Sequence, residues 1–161
     1  MLGLDPGLNI TGYGLIDVGG SQPALIEAGV IRSKRSDDLT IRLKSLHDGL
    51  LDVIQSTKPN AVAIEELYSH YERPQTSILM GHARGVLCLA VGQQNLPLYH
   101  YAATQVKKIM TGNGRAPKNQ VQLAVAKQLN LTEVPEPNDV ADALAIAMCH
   151  HYISHKPASL L

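Results

Sequence analysis

Four carboxylates stand at three separate points of the chain, and their positions suit metal-assisted chemistry. Asp5 and Glu65 each end a short apolar run, so each is predicted to lie at the carboxyl end of a buried strand. Asp139 and Asp142 are three residues apart where a helical apolar pattern begins, so they share one helix face. If the strands are neighbours and the helix packs over them, four negative charges meet at one site. Such a cluster is tolerable mainly around divalent cations, and all-oxygen ligands favour Mg²⁺ or Mn²⁺.

Two such ions suit the hydrolysis of a phosphodiester. Held about 3.5–4 Å apart, one ion activates a water molecule and the other stabilises the leaving oxygen. We therefore expect two Mg²⁺ ions per subunit, with Mn²⁺ as the alternative. Each acid alone also has a plainer interpretation, since Asp5 could belong to a turn and Asp139 could cap a helix.

Net charge is zero, with 14 basic and 14 acidic residues, but the charges are unevenly distributed. The stretch 73–132 contains no acid and seven basic residues, namely Arg73, Arg84, Lys107, Lys108, Arg115, Lys118 and Lys127. Four acids then follow before residue 143 without a base between them. This pattern predicts a phosphate-binding face around a metal pocket. The alternative is a solvated surface whose charges balance in three dimensions.

Length and composition indicate one globular domain over residues 1–161, with 45% apolar and 17% charged residues. No apolar run approaches the roughly 18 residues of a membrane span. The first strand begins too early for a signal peptide, so we expect none. Cys88 and Cys149 lie inside apolar patterns without CxxC spacing. We interpret them as reduced core thiols of a cytoplasmic protein that has no membrane contact.

Hydrophobic periodicity predicts a strand meander followed by alternating strands and helices. The predicted strands are 1–4, 11–18, 24–32, 61–66 and 97–101, and the predicted helices are 38–57, 76–93, 103–110, 117–129 and 138–151. This order predicts an α/β fold with a mixed five-stranded sheet flanked by helices. Ligands of such sheets bind beyond the carboxyl ends of the parallel strands.

Three glycines follow Asp5 closely, at Gly7, Gly12 and Gly14. Their spacing matches neither a P-loop nor a dinucleotide fingerprint. We interpret them as residues of tight turns between the first strands. An aspartate followed by a glycine-rich hairpin also opens the actin-like ATPase fold, but that fold needs a second, similar domain.

Five segments carry a resemblance to one nuclease family. They are Leu4–Gly14 (LDPGLNITGYG), Ala63–Glu65 (AIE), Gly81–Gly85 (GHARG), Gln105–Lys107 (QVK) and Asp139–Ala147 (DVADALAIA). In order and spacing they resemble the RuvC family of Holliday junction resolvases over nearly the whole chain. The resemblance implies a ribonuclease-H-like fold and a crossover junction endodeoxyribonuclease. Such an enzyme resolves four-way DNA junctions by paired symmetric nicks during recombination and repair, leaving 5′-phosphate and 3′-hydroxyl ends.

The resemblance also implies roles for individual residues. Asp5, Glu65, Asp139 and Asp142 match the four catalytic, metal-binding acids of the family. Adjacent strand residues point to opposite faces, so only one of two neighbouring glutamates can join the cluster. The motif selects Glu65 over Glu66.

Further residues fall where the family contacts its partners. The implied DNA contacts are Tyr68, Arg73, Lys107, Lys108, Arg115 and Lys118, of which Tyr68 would stack on an unpaired base, with Tyr71 as a competitor. The helix 76–93 would form part of a two-fold homodimer interface, for which Gly81, Arg84 and Gly85 are candidates. Close packing of this helix on the sheet explains its glycines equally well. A branch-migration helicase complex is the expected further partner.

Other functions stay open at this point. A related nuclease could act on other branched nucleic acids, including RNA. A module that binds DNA structure without cutting it, or an actin-like nucleotide-binding domain, would belong to a different class.

Overall fold

The computed structural model describes residues 1–67 and 74–155, which form a five-stranded sheet with five helices. In chain order the elements are β1 (Leu2–Asp5), β2 (Ile10–Asp17), β3 (Ala24–Arg32), α1 (Leu39–Thr57), β4 (Val62–Glu65), α2 (Pro74–Gln93), β5 (Leu98–Tyr101), α3 (Ala103–Thr111), α4 (Lys118–Gln128) and α5 (Asn138–Ser154). Every element predicted from periodicity is present, and most ends shift by one or two residues.

The sheet is mixed, with the strand order β3-β2-β1-β4-β5. The first three strands pair antiparallel, as a meander requires. On the other side β1 pairs parallel with β4, and β4 pairs parallel with β5. The predicted mixed five-stranded sheet is therefore confirmed, and the carboxyl ends of three parallel strands meet at one edge.

Alternate residues of the central strands face opposite layers of helices. Leu2 and Leu4 of β1, with Val62 and Ile64 of β4, pack into a core formed with α1 and α2. Ala63 packs into the second core, which is formed mainly with α3, α4 and α5. Because side chains alternate along a strand, the acids at the ends of both strands face the α5 layer.

The helix α5 is the centre of the second layer. All residues from Ala143 to Cys149 are buried, and the helix crosses β1 and β2 at very short distance. A Cβ atom added at Gly3 would lie 2.0 Å from the carbonyl oxygen of Ala143, and one at Gly14 would lie 2.5 Å from Cδ2 of Leu144. Since Gly3 and Gly14 are paired across the two strands, they form a flat surface against which α5 packs.

This contact corrects one prediction. Gly12 and Gly14 are not turn residues but lie inside β2, where the absence of a side chain lets α5 approach. Gly7 does lie in the loop between β1 and β2, where its N–H donates to the hydroxyl of Thr11 at 3.3 Å.

Two further expectations can be compared with the structure. Cys149 is fully buried and Cys88 is partly buried, and both are free thiols. No helix in the described part of the chain is long and apolar enough to cross a membrane.

Candidate active site

The first two acids are brought together by the parallel pairing of β1 and β4. Leu4 lies opposite Ile64 in the register, so Asp5 and Glu65 occupy the next position on adjacent strands. Both are only partly exposed. The polypeptide leaves the sheet directly after each acid, which places both carboxylates at the edge where a ligand can enter.

The other two acids are delivered by the start of α5. Asp5 is the cross-strand partner of Gly12, and a Cβ atom at Gly12 would lie 2.0 Å from the carbonyl oxygen of Asp139. The first turn of α5 therefore rests against the strand beside Asp5. Asp142 follows one turn later on the same helix face.

The electrostatics show that the four acids share one neighbourhood. Burial, followed by the charges of Asp142, Glu65 and Asp139, raises the pKa of Asp5 to about 8. Burial and Asp142 also raise the pKa of Glu65. The pKa of Asp142 is raised mainly by burial, although a lysine opposes the shift. A site that resists carrying four negative charges is one that a cation stabilises.

That lysine is Lys118 at the start of α4. Its Nζ atom lies 2.5 Å from Oδ2 of Asp142. Burial alone would lower the pKa of Lys118, but the hydrogen bond and the nearby carboxylates outweigh it and raise the pKa. Lys107 of α3 also lies close to the acids, and its positive charge partly opposes the rise in the pKa of Glu65 and of Asp142.

A cleft of about 220 Å³ connects these groups. Its polar lining consists of Glu65, Lys107, Lys118 and Asp142, and alanine and valine side chains of α3, α4 and α5 form the rest. The cleft thus combines two carboxylates with two ammonium groups, an arrangement that suits a phosphate bound beside metal ions.

The four acids converge on one region, but their side chains are not arranged around a single ion. Within residues 1–67 and 74–155, no three acids, histidines or cysteines are arranged to hold a metal ion together. The fit of the site to a divalent cation therefore rests on the chemistry of four convergent carboxylates and on the raised pKa of Asp5.

Comparison with known proteins identifies the family. The sequence profile of "Crossover junction endodeoxyribonuclease RuvC" matches residues 1–150. The chain belongs to the RuvC family. The protein of that name from Rhodopirellula baltica is 57% identical over 157 residues, which cover 98% of this chain and 88% of the relative. The one from Desulforamulus reducens is 43% identical over 150 residues, covering 93% and 91%.

Solved RuvC structures agree with the fold. The RuvC structure of Thermus thermophilus has a TM-score of 0.87 at 33% identity and covers 96% of this chain and 95% of that one. The same protein in complex with Holliday junction substrate gives a TM-score of 0.88 at 32% identity, with 95% and 93% covered. The yeast mitochondrial resolvase Ydc2, at 14% identity and a TM-score of 0.64, shares the fold alone. The predicted ribonuclease-H-like fold is confirmed by these similarities.

The remaining residues expected from the RuvC resemblance lie in different surroundings. Lys108 and Arg115 are exposed and do not line the cleft. Glu66 is exposed at the strand end, unlike Glu65. Tyr68 and Arg73, with Tyr71, lie outside the described residues.

The glycines of α2 can now be placed. A Cβ atom at Gly81, Gly85 or Gly92 would meet no other atom within 4 Å. Close packing on the sheet therefore does not explain these glycines, since their positions face away from it.

Arg84 of α2 is a neighbour of the site that sequence reasoning did not predict. Its Nε atom donates a hydrogen bond to the carbonyl oxygen of Glu65 at 2.9 Å.

Proposed function

We propose that this protein is a metal-dependent endonuclease that resolves four-way DNA junctions by paired symmetric nicks, in recombination and repair. The observation that carries the proposal is the cluster of four carboxylates at one sheet edge, with Lys107 and Lys118 beside it. The relative of known structure from Thermus thermophilus, described in complex with Holliday junction substrate, supports the choice of substrate.

In this proposal Asp5, Glu65, Asp139 and Asp142 hold the metal ions. Two bound Mg²⁺ ions, or Mn²⁺ in their place, would supply an activated water and stabilise the leaving 3′ oxygen, which leaves 5′-phosphate and 3′-hydroxyl ends. The four carboxylates would fix the position of these ions at the carboxyl ends of β1 and β4. The apolar wall formed by α3, α4 and α5 limits the access of bulk water.

The basic residues bind the phosphates of the junction. Lys107 and Lys118 would contact the scissile or a flanking phosphate, and their position in the lining of the same cleft as Glu65 and Asp142 supports this role. If Lys118 moves from Asp142 to a phosphate, its ammonium group would offset the charge of that phosphate instead of the charge of the Asp142 carboxylate. Lys108 and Arg115 would contact the backbone further out, as would Arg73, and Tyr68 would stack on an unpaired base.

We further propose that the protein acts as a homodimer through α2. Ile78, Leu79 and Leu89 on this helix are exposed by 60%, 38% and 56%, and Gly81 and Gly85 leave the backbone between them open. Apolar side chains beside small residues suit close association of a second copy. A two-fold dimer presents one site to each of the two strands to be cut. A branch-migration helicase complex is the further partner in this proposal.

Cleavage of a synthetic four-way junction tests the function directly. The protein is incubated with end-labelled junction in Mg²⁺ or in EDTA, and the products are separated on a denaturing gel. We expect symmetric cuts in two strands of like polarity only with Mg²⁺, and no cutting of linear duplex of the same sequence. Equal cutting of the duplex would refute junction resolution and indicate a general nuclease.

A further inference from the structure

The carbonyl oxygen of Glu65 occupies an unusual place in the sheet. The N–H of Leu2 donates to the carbonyl oxygen of Ala61 at 3.0 Å. In parallel pairing this pattern recurs at every second residue. Continued along β1 and β4, it brings the nitrogen of residue 6 into line with the carbonyl of Glu65. Residue 6 is proline, which has no N–H to donate.

Arg84 supplies the missing donor from another element. Its Nε atom donates to the Glu65 carbonyl oxygen at 2.9 Å. Arg84 belongs to α2 and follows the fully buried Ala83, so the backbone from which it extends is fixed in the core. The bond therefore ties the carboxyl end of β4 to a rigid helix at the residue that carries the site's glutamate.

The other end of the guanidinium group is held as well. Nη2 of Arg84 lies 2.6 Å from Nδ1 of His100. Because a guanidinium group can only donate, the ring nitrogen of His100 acts as the acceptor of this bond. His100 lies on β5 opposite Ile64, the residue before Glu65. Arg84 thus clamps two neighbouring strands where the ladder ends.

We propose that Arg84 is a positioning residue that fixes the end of β4 and thereby orients the Glu65 carboxylate toward the metal. The proposal rests on the metal-binding role assigned above to Glu65. This role differs from the dimer-interface role that the family resemblance implies for Arg84, and it is favoured by the bonds from two of its nitrogens to groups of its own chain. A third role, contact with a DNA phosphate, predicts a different outcome in the experiment.

The test measures Mn²⁺ binding to the protein without DNA, by electron paramagnetic resonance of the free ion. We expect Arg84→Ala to weaken Mn²⁺ binding about tenfold, as is typical when a residue supporting a ligand is lost. Arg84→Lys should recover most of this affinity, because an ammonium group can still donate to the carbonyl. Arg35→Ala is the matched control, since Arg35 is exposed on the loop between β3 and α1, and it should bind Mn²⁺ like the wild type.

A double-mutant cycle shows whether Arg84 acts through Glu65. Glu65→Gln alone should weaken Mn²⁺ binding, and adding Arg84→Ala to it should cause little further loss. A full additional tenfold loss in the Glu65→Gln background would overturn the proposal. If Glu65→Gln leaves Mn²⁺ binding unchanged, the assignment of Glu65 as a ligand fails as well. If only Arg84→Ala has no effect, the positioning role alone fails.

Two further measurements separate the competing roles. Junction affinity in EDTA and the mass by light scattering should be unchanged in Arg84→Ala. A loss of junction affinity with intact Mn²⁺ binding would show a phosphate contact instead, and a halved mass would show an interface residue. If Arg84→Ala does not fold, the exposed His100→Ala tests the same clamp. We expect it to weaken Mn²⁺ binding in the same direction, and unchanged binding would overturn the proposal.

Discussion

Replacing Gly12 with alanine tests whether the close approach of α5 to the sheet sets the site geometry. The added Cβ atom would lie 2.0 Å from the carbonyl oxygen of Asp139, 2.4 Å from its carbonyl carbon and 3.0 Å from its Cβ atom. Two of these atoms belong to the backbone, so no side-chain rotation can relieve the contact. Ordinary van der Waals contact begins near 3.4 Å, so the start of α5 must move by about 1 Å or more.

The expected effects on activity and on stability are similar in energy, because a 100-fold loss in rate corresponds to about 2.7 kcal/mol. A displacement of about 1 Å in a catalytic group can cost 10²-fold in rate, and overpacking costs about 1–3 kcal/mol. Each kcal/mol lowers the melting temperature of a chain of this size by about 2–4 °C. Gly12→Ala should therefore stay folded at 25 °C but cut a junction about 100-fold more slowly.

The assay compares single-turnover cleavage at saturating enzyme with thermal melting of the same preparations. Gly20→Ala is the matched control, because its Cβ atom would have its nearest neighbour at 3.6 Å in an exposed turn. It should cut and melt like the wild type. Cleavage by Gly12→Ala within a few-fold of the wild-type rate would refute the reasoning, because Asp139 would then tolerate displacement of its backbone.

Four further outcomes follow from the same geometry. Asp139→Asn should abolish junction cleavage on a gel but retain junction binding, whereas the exposed Glu66→Gln should cut normally; a severe loss in Glu66→Gln would show that the wrong glutamate was chosen. The pKa of Asp5 is raised to about 8, so the folded state binds an extra proton and loses stability as pH rises from about 4 to 8. In EDTA at pH 8, Asp5→Asn should therefore melt above the wild type, and a lower melting temperature would contradict the raised pKa. Junction affinity should fall steeply with salt, because several phosphates are neutralised, and a flat salt dependence would argue against the basic face. Light scattering should give about twice the 17.4 kDa chain mass, and Ile78→Glu should halve it; an unchanged mass would place the interface elsewhere.

The elements and the position of each acid within its element could be predicted from the sequence, because both depend on local patterns. Apolar periodicity identified each helix and strand, and an acid at the end of each of two short apolar runs indicated strand ends at one edge. The spacing of Asp139 and Asp142 then required only helical geometry. That the four acids meet at one site depended in addition on β1 and β4 being neighbours and on α5 packing over them, which the local patterns alone do not establish.

The glycines and Arg84 could not be placed in the same way. Glycine permits both a turn and a close approach, so Gly12 and Gly14 looked like turn residues until the position of α5 was known. Arg84 is 19 residues from its partner Glu65. Only the strand register shows that Pro6, which has no N–H, leaves the Glu65 carbonyl oxygen without a donor from β1. The one available signal was the proline itself, directly after a strand that ends in an acid.

The alternation along β1 has a consequence for how this sequence can diverge. Leu2 and Leu4 face α1 and α2, where another apolar side chain of similar volume could be accommodated by repacking. Gly3 lies between them, and any larger residue there would meet the backbone of Ala143. Within β1, therefore, positions that tolerate substitution alternate with positions that do not. Related sequences should vary in β1 with a period of two, and the invariant set should be the one that faces α5.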